Sequence, residues 1–211
     1  MNIEKINDFW VPSNDIHIED WKAGKPFTQN KCLNRFLEYL RTTKQYMNTV
    51  IDVGAWCGTW SKAIEPFAKK VIAFEPDSVH FECLQRNCAV NCDARMEAVG
   101  SEIKQISLTE DNFTQAKRIA KQGDINMTTL DKLQIKDVDM IKIDVEGYEM
   151  EVLKGAEKTL DSVKYLMIEL NNNTKKYGSS NLEIEKHIGG LGYQTLISHW
   201  PDKVFYRPDV N

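Results

Sequence analysis

The sequence predicts one α/β domain built on a mostly parallel sheet with helices on both faces. Short runs rich in β-branched residues, such as Thr49–Val53 and Val138–Val145, alternate with amphipathic segments of helical length. Strands that alternate with helices form parallel sheets through right-handed crossovers. The last two runs, Tyr193–Ser198 and Lys203–Tyr206, are joined by a short turn, so they must be antiparallel.

Length and composition describe an ordinary globular chain and suggest few partners. The 211 residues fit a single domain over 1–211, and the net charge of −4 provides no basic surface for nucleic acid or an anionic membrane. The start of the chain has no signal-peptide pattern, and no apolar run approaches the roughly 20 residues of a membrane span. Five cysteines without a C-x-x-C pair predict reduced thiols and a cytoplasmic protein. The oligomeric state is not legible.

The first part of the chain is predicted to carry an arm and then the α/β core. Residues 1–31 show no clear period, which predicts an irregular arm packed on a core of residues 32–211. A helix is expected from Leu33, because apolar residues follow it at helical spacing. Arg95–Val99 is expected to form a strand, and the polar residues 110–124 to form a loop.

The second half continues the alternation of helices and strands. Thr129–Leu133 is expected to form one helical turn, and Tyr148–Leu160 a helix with its apolar face inward. Val163–Leu170 is the next predicted strand. Leu182–Leu191 is the last predicted helix, closed by Gly192.

Two strand ends carry the pattern of an adenosine-binding half-site. Ligands of open parallel sheets bind beyond the carboxyl ends of the strands. Gly54 and Gly58 follow the first strand and allow a tight turn against which a ligand can lie. Glu75 ends the second strand, where a carboxylate can accept bonds from both ribose hydroxyls. The alternative is that the glycines only make a turn and that Glu75 is a solvated strand end.

The spacing of this turn favours S-adenosylmethionine over a dinucleotide. A dinucleotide site uses G-x-G-x-x-G to approach a pyrophosphate, whereas this turn reads G-x-x-x-G and is preceded by Asp52. An acidic residue there suits the ammonium group of an amino acid and repels a pyrophosphate. The chain also lacks the Tyr-x-x-x-Lys pattern of many small dehydrogenases.

Five ordered blocks resemble the FkbM family of class I methyltransferases. The blocks are DVGAWCG at 52–58, AFEP at 73–76, TLD at 129–131, IKIDVEGYE at 141–149 and VLKGA at 152–156. The match covers about Thr49 to Leu170. The main departure is Trp56-Cys57, where the family usually has Asn and an aliphatic residue.

The resemblance implies a Rossmann-like class I fold, a seven-stranded sheet with an antiparallel last strand, and methyl transfer to a hydroxyl. It also implies S-adenosyl-L-methionine as the cofactor, with adenine near the third strand. The predicted cofactor-binding residues are Asp52, Gly54, Ala55, Gly58, Glu75, Ala98 and Asp144.

The chemistry is expected where the fourth and fifth strands end. Asp144 and Glu146 are candidates for a base or for orienting the acceptor, and Glu169 is a third candidate catalytic residue. A second hypothesis is that Asp144, Glu169 and Asn171 ligate a divalent metal ion. A third is that Glu146 merely caps the following helix.

Other side chains are weaker candidates. His199 is an alternative base, although its predicted place in a turn argues against it. Trp10, Trp21 and Tyr177 can line an acceptor pocket, with packing as the competing role.

The sequence therefore predicts an S-adenosylmethionine-dependent O-methyltransferase that acts on a carbohydrate or another small hydroxylated molecule. Two rivals stay open. One is an NAD(P)-dependent oxidoreductase, and the other is a non-catalytic nucleoside-binding module on the same fold.

Overall fold

The computed structural model of the chain describes residues 3–25, 30–110 and 117–210. The strands are β1 (Ile3–Ile6), β2 (Phe9–Pro12), β3 (Met47–Val53), β4 (Ala68–Phe74), β5 (Cys92–Arg95), β6 (Ala98–Val99), β7 (Lys104–Glu110), β8 (Lys117–Thr128), β9 (Val138–Ile143), β10 (Tyr165–Glu169), β11 (Gln194–His199) and β12 (Asp202–Tyr206). The helices are α1 (Ile18–Lys22), α2 (Lys31–Thr43), α3 (Thr59–Ile64), α4 (Ser78–Asn87), α5 (Leu130–Leu133), α6 (Glu149–Lys154), α7 (Glu157–Leu160) and α8 (Asn181–Gly190). Two 3-10 helices lie at Glu65–Phe67 and Asn172–Tyr177.

Seven strands form the central sheet in the order β11-β12-β10-β9-β3-β4-β5. The neighbours from β10 to β5 are parallel, whereas β12 is antiparallel to both β10 and β11. This confirms the predicted seven-stranded sheet with its reversed last strand. Because β3, β4, β9 and β10 run in one direction, their carboxyl ends meet at a single edge.

Helices cover both faces of this sheet, as predicted. Side chains of successive strand residues point to opposite faces, so Ile51 belongs to one core cluster and Val50 to the other. The Ile51 face packs on helices α5 to α8, and the Val50 face packs on α2 and α3. On α2 the apolar stripe predicted from Leu33 is buried, including Phe36 and Leu40.

The prediction that residues 1–31 are irregular is wrong for much of the arm. It contains the hairpin of β1 and β2 and the short helix α1. These elements are too short to show a hydrophobic period. The arm is packed on the core, since the Trp10 N–H donates to Asn87 Oδ1 at 2.7 Å and Asn87 Nδ2 donates to the Trp10 carbonyl at 2.8 Å.

A second, three-stranded sheet corrects two other predictions. Arg95–Val99 is not one strand, because β5 ends at Arg95 in the central sheet and β6 pairs with β8 in the smaller one. The loop expected over 110–124 is a strand from Lys117, paired with β7; residues 111–116 lie outside the described part. The polar composition of this hairpin concealed it.

The helix predicted over Tyr148–Leu160 is divided at Gly155. A Cβ atom on Gly155 would lie 1.9 Å from the Gly100 carbonyl oxygen, so the backbone passes too close for any larger residue. Packing between segments therefore overrides a continuous helical pattern.

Cys32, Cys57 and Cys83 are free thiols, whereas the Sγ atoms of Cys88 and Cys92 are in contact, so the prediction of reduced thiols is not confirmed for that pair. Among the described residues, no helix has both the length and the apolar character needed to cross a bilayer.

Candidate active site

A cavity of about 520 Å³ lies at the sheet edge where β3, β4 and β9 end. The arm and the small sheet also contribute to its walls, through residues such as Trp21 and Leu108. Several predicted site residues line it together: Gly54, Ala55, Glu75, Ala98, Asp144 and Glu146. The sequence thus predicted the location of the cavity and these six residues of its wall.

Glu75 is held in a fixed position at the end of β4. One carboxylate oxygen accepts the Trp56 N–H at 2.9 Å, and the other accepts the Asp77 N–H at 2.9 Å. The residue is only 6% exposed, yet it lines the cavity. A buried carboxylate fixed by backbone donors is preorganised to accept further hydrogen bonds from a ligand. The alternative of a solvated strand end is wrong.

The turn after β3 depends on Gly54. This glycine has φ +78°, and a Cβ atom would lie 1.8 Å from the Asp144 carbonyl oxygen. Trp56 follows with φ +50°, a left-handed conformation that bulky residues rarely adopt. Gly58 is at the N-cap of α3, where a Cβ atom would lie 2.9 Å from Leu84 Cδ1, and it is absent from the cavity wall. Its predicted cofactor contact is therefore not supported, and its role is to form the turn.

Asp52 is also outside the cavity wall, because its side chain points into the protein. It has no solvent exposure, and it accepts a hydrogen bond from the Ser61 hydroxyl at 2.7 Å. Lys142 Nζ lies 3.0 Å from its other carboxylate oxygen. The predicted direct contact between Asp52 and a cofactor ammonium is not supported by this placement, since the ammonium of Lys142 already occupies that role.

Lys142 is the residue of the site that the sequence reasoning missed. From the carboxyl end of β9, its Nζ donates to the Gly54 carbonyl at 2.7 Å and lies 3.5 Å from Asp144 Oδ2. Burial opposes its charge, but Asp52 and Asp144 outweigh burial and raise the pKa of Lys142 above its ordinary value. The sequence did contain a signal for this residue, namely a lysine within an otherwise apolar strand. A buried lysine of this kind requires neighbouring carboxylates to compensate its charge.

A buried glutamate shapes the turn that carries Asp144 and Glu146. One oxygen of Glu149 accepts the Gly147 N–H at 2.9 Å and the Val145 N–H at 3.3 Å. Burial raises the pKa of Glu149 to about 7. Glu146 has φ +56° and accepts from Asn173 Nδ2 at 2.9 Å. The hypothesis that Glu146 caps the helix is not supported, because Tyr148 is the N-cap residue of α6 and no side chain makes a capping hydrogen bond there.

Glu169 lies next to Asp144 but is not part of the cavity wall. Burial, and then the neighbouring carboxylates of Asp144 and Glu146, raise the pKa of Glu169 to about 9. Its carboxyl is therefore protonated near neutral pH. A neutral carboxyl outside the wall does not suit the predicted catalytic contact; Glu169 instead lies close enough to Asp144 for that carboxylate to raise its pKa.

The predicted metal-ligand set is already engaged in other bonds. Asn171 Nδ2 donates to Glu169 Oε2 at 2.6 Å, and Asn171 Oδ1 accepts the Asn173 N–H at 2.8 Å. Asp144 pairs with Lys142. All three side chains therefore have protein partners in the absence of a metal ion, so this arrangement does not support the metal hypothesis.

The four weaker candidates from the sequence differ in whether they line the cavity. Trp21 lines the cavity, with its ring centroid 5.7 Å from that of Trp56. Trp10, Tyr177 and His199 do not line it. The acceptor-pocket role is therefore supported for Trp21 alone among these residues.

The sheet order and the position of the cavity define the Rossmann-like fold of class I methyltransferases. Residues 52–195 match the model of the methyltransferase FkbM domain, and the chain belongs to that family. The chain is 28% identical over 134 residues to the hexuronic acid methyltransferase AglP of Haloferax volcanii, covering 57% of this chain and 54% of that protein.

Solved structures share the fold at low sequence identity. A methyltransferase FkbM from Methylobacillus flagellatus KT superimposes with a TM-score of 0.56 at 19% identity, over 76% of this chain and 43% of that one. A precorrin-6y C5,15-methyltransferase from Geobacter metallireducens gives 0.52 at 13% identity, over 85% and 94% of the two chains. The chain thus spans about half the length of AglP and less of the first solved relative.

Proposed function

We propose that this protein is an S-adenosylmethionine-dependent O-methyltransferase that acts on a hydroxyl of a carbohydrate or another small molecule. The observation that carries the proposal is that Glu75 and Asp144 line one cavity at the carboxyl edge of the sheet. One carboxylate suits a ribose and the other suits an acceptor hydroxyl. The family match and the resemblance to a hexuronic acid methyltransferase support the same reading.

The residues of the cavity fit this cofactor. Glu75 would accept hydrogen bonds from the ribose hydroxyls, and the backbone at Gly54 and Ala55 would contact the amino-acid part. Ala98 belongs to the wall on the side of the small sheet, where adenine would be accommodated. Asp144, with 38% of its side chain exposed, would lie next to the reacting group.

Within this cavity we assign the role of general base to Asp144. When bound, the cofactor supplies a methyl group whose bond to sulfur breaks as its bond to the acceptor oxygen forms. Asp144 takes the proton of the acceptor hydroxyl, while Lys142 holds its carboxylate in position. Glu146, fixed by Asn173, orients the acceptor.

Calorimetric titration tests the cofactor assignment directly. We expect S-adenosylhomocysteine to bind and NAD to show no heat of binding. Glu75→Ala should weaken S-adenosylhomocysteine binding at least about tenfold, since it removes a charge-assisted pair of bonds. Glu157→Gln, at an exposed position on α7, is the matched control. Preferential NAD binding would favour the oxidoreductase rival instead.

Formation of S-adenosylhomocysteine with a panel of sugars and polyols tests the reaction. Asp144→Asn should retain cofactor binding and lose about 10²-fold or more in turnover, the usual contribution of a general base. If Asp144→Ala leaves turnover unchanged, Asp144 is not the base. If no acceptor is methylated although the cofactor binds, the non-catalytic module is favoured.

A further inference from the structure

The described part of the cavity wall carries more acidic than basic side chains. Among the lining residues that the structure describes, Lys142 is the one lysine or arginine. The lining carboxylates are Asp15, Glu75, Asp77, Glu97, Asp144 and Glu146. Two histidines, His17 and His80, also line the cavity, and His80 Nδ1 lies 3.6 Å from Asp77 Oδ1.

The charge of Lys142 is already committed to protein groups. Its ammonium bonds to the Gly54 carbonyl and contacts both Asp52 and Asp144. Because Asp52 is fully buried, it requires this cation for itself. Lys142 therefore has little capacity to attract a negatively charged acceptor to the end of the cavity where Asp144 lies.

Two more carboxyl groups, those of Glu169 and Asp202, lie close to Asp144 behind the cavity wall. Asp202 pairs with Glu169 across the β10–β12 ladder, at the same sheet edge. Burial and the charge of Asp144 raise the pKa of Asp202 to about 6 and that of Glu169 to about 9. Near neutral pH, Glu169 is therefore protonated and adds no charge, whereas Asp202 is mostly ionised and adds a negative charge close to Asp144.

We infer that the acceptor carries no anionic group in this cavity: it is a neutral or amino sugar, or a similar polyol, rather than a uronic acid. This inference rests on the proposed function and deepens it. It separates the chain from AglP, which is named a hexuronic acid methyltransferase. A carboxylate close to Asp144 would be repelled, whereas a hydroxyl or an ammonium would not.

A binding experiment tests the electrostatic field at the acceptor end of the cavity and does not require the acceptor to be known. Sinefungin carries an amino group in the place of the transferable methyl, so at pH 7 it directs a positive charge toward the acceptor end. S-adenosylhomocysteine has a neutral thioether there. We expect sinefungin to bind at least about tenfold more tightly in calorimetry at low salt, and this preference to shrink in Asp144→Asn. Glu157→Gln should keep the full preference.

Equal binding of the two compounds, or tighter binding of S-adenosylhomocysteine, would overturn the inference while leaving the cofactor assignment intact. Failure of both compounds to bind would refute the proposed function itself. The two failures are therefore distinguishable.

A matched acceptor panel provides the second test. Glucose, galactose and mannose glycosides are each compared in their neutral, 2-amino and uronic acid forms, with S-adenosylhomocysteine release as the readout. We expect kcat/KM for any accepted neutral or amino sugar to exceed that of its uronic acid by at least about tenfold. Faster methylation of a uronic acid than of its neutral counterpart would overturn the inference. If no glycoside is methylated, the comparison of sinefungin with S-adenosylhomocysteine decides whether the inference stands.

Discussion

Lys142 and Asp52 form a buried ion pair, with 3.0 Å between Nζ and Oδ1, directly beneath the glycine turn that lines the cavity. The pair joins β9 to β3, two neighbouring strands whose ends carry the proposed cofactor and acceptor groups. It therefore connects the stability of the domain to the geometry of its site.

Lys142→Met should destabilise the protein by about 3–5 kcal/mol, because it leaves Asp52 buried without a cation. Urea unfolding followed by circular dichroism measures the change. Lys158→Met, at an exposed position on α7, is the control and should change stability by less than about 0.5 kcal/mol. A loss no larger than that of the control would show that Asp52 is neutralised in another way.

Glu149 predicts a defined dependence of stability on pH. Its pKa rises from 4.5 to about 7 on folding because the side chain is buried. The folded protein therefore binds this proton more tightly, and the resulting stabilisation is complete below pH 4.5 and lost as the pH rises through about 7. Glu149→Gln should remove about 2–4 kcal/mol of this pH dependence between pH 5 and 8.

The measurement for Glu149 is the free energy of unfolding in urea at several pH values. Glu157→Gln should reproduce the wild-type curve. Raised pKa values at Glu169 and Asp202 act in the same direction, so the difference between wild type and Glu149→Gln isolates the one residue. Parallel curves for the two proteins would contradict the assignment.

Gly54→Ala and Gly189→Ala form a matched pair. At Gly54 a Cβ atom would lie 1.8 Å from the Asp144 carbonyl oxygen, so this change should cost more than about 2 kcal/mol and abolish S-adenosylhomocysteine binding. At Gly189, in α8, a Cβ atom meets nothing within 4 Å, so the same change should stabilise by about 0.5–1 kcal/mol. Thermal unfolding and calorimetry give both results. Tolerance at Gly54 would refute the close approach of β3 and β9.

Trp56 tests the left-handed conformation of the turn. Trp56→Asn and Trp56→Ala remove the same indole and its contacts with Trp21 and His80. They differ in how well the new residue tolerates φ +50°. Asn adopts this region more readily, so Trp56→Asn should be more stable than Trp56→Ala by about 0.5–1 kcal/mol. A reversed order in urea unfolding would mean that the turn is not left-handed there.

Methyl transfer should persist in EDTA, because Asn171 and Glu169 bond to each other and Asp144 pairs with Lys142. The check is turnover before and after dialysis against chelator, with added Mg²⁺ as the comparison. Loss of turnover that Mg²⁺ restores would revive the metal hypothesis.

Features that depend on where a strand ends could be predicted from the sequence alone. Glu75 and Asp144 were found because parallel strands place their carboxyl ends at one edge. Direct cofactor contacts were also predicted for Asp52 and Gly58, and the placement of these two residues does not support them. The local sequence does not show whether a residue at a turn faces the cavity or the core.

The remaining errors arise from contacts between distant segments. Lys142 reaches Asp52 across 90 positions of sequence. Gly155 divides a helix because it touches Gly100, on a segment that periodicity cannot connect to it. Such contacts belong to the assembled sheet and leave little local signature in the sequence.

The arm supplies walls to the cavity although it precedes the segment shared with the family. Asp15, His17 and Trp21 line the cavity, whereas the family match begins at residue 52. The cavity wall is therefore encoded in two separate stretches of the gene. Exchange of the codons for residues 15–21 between relatives would alter one part of the wall and leave the segment shared with the family unchanged.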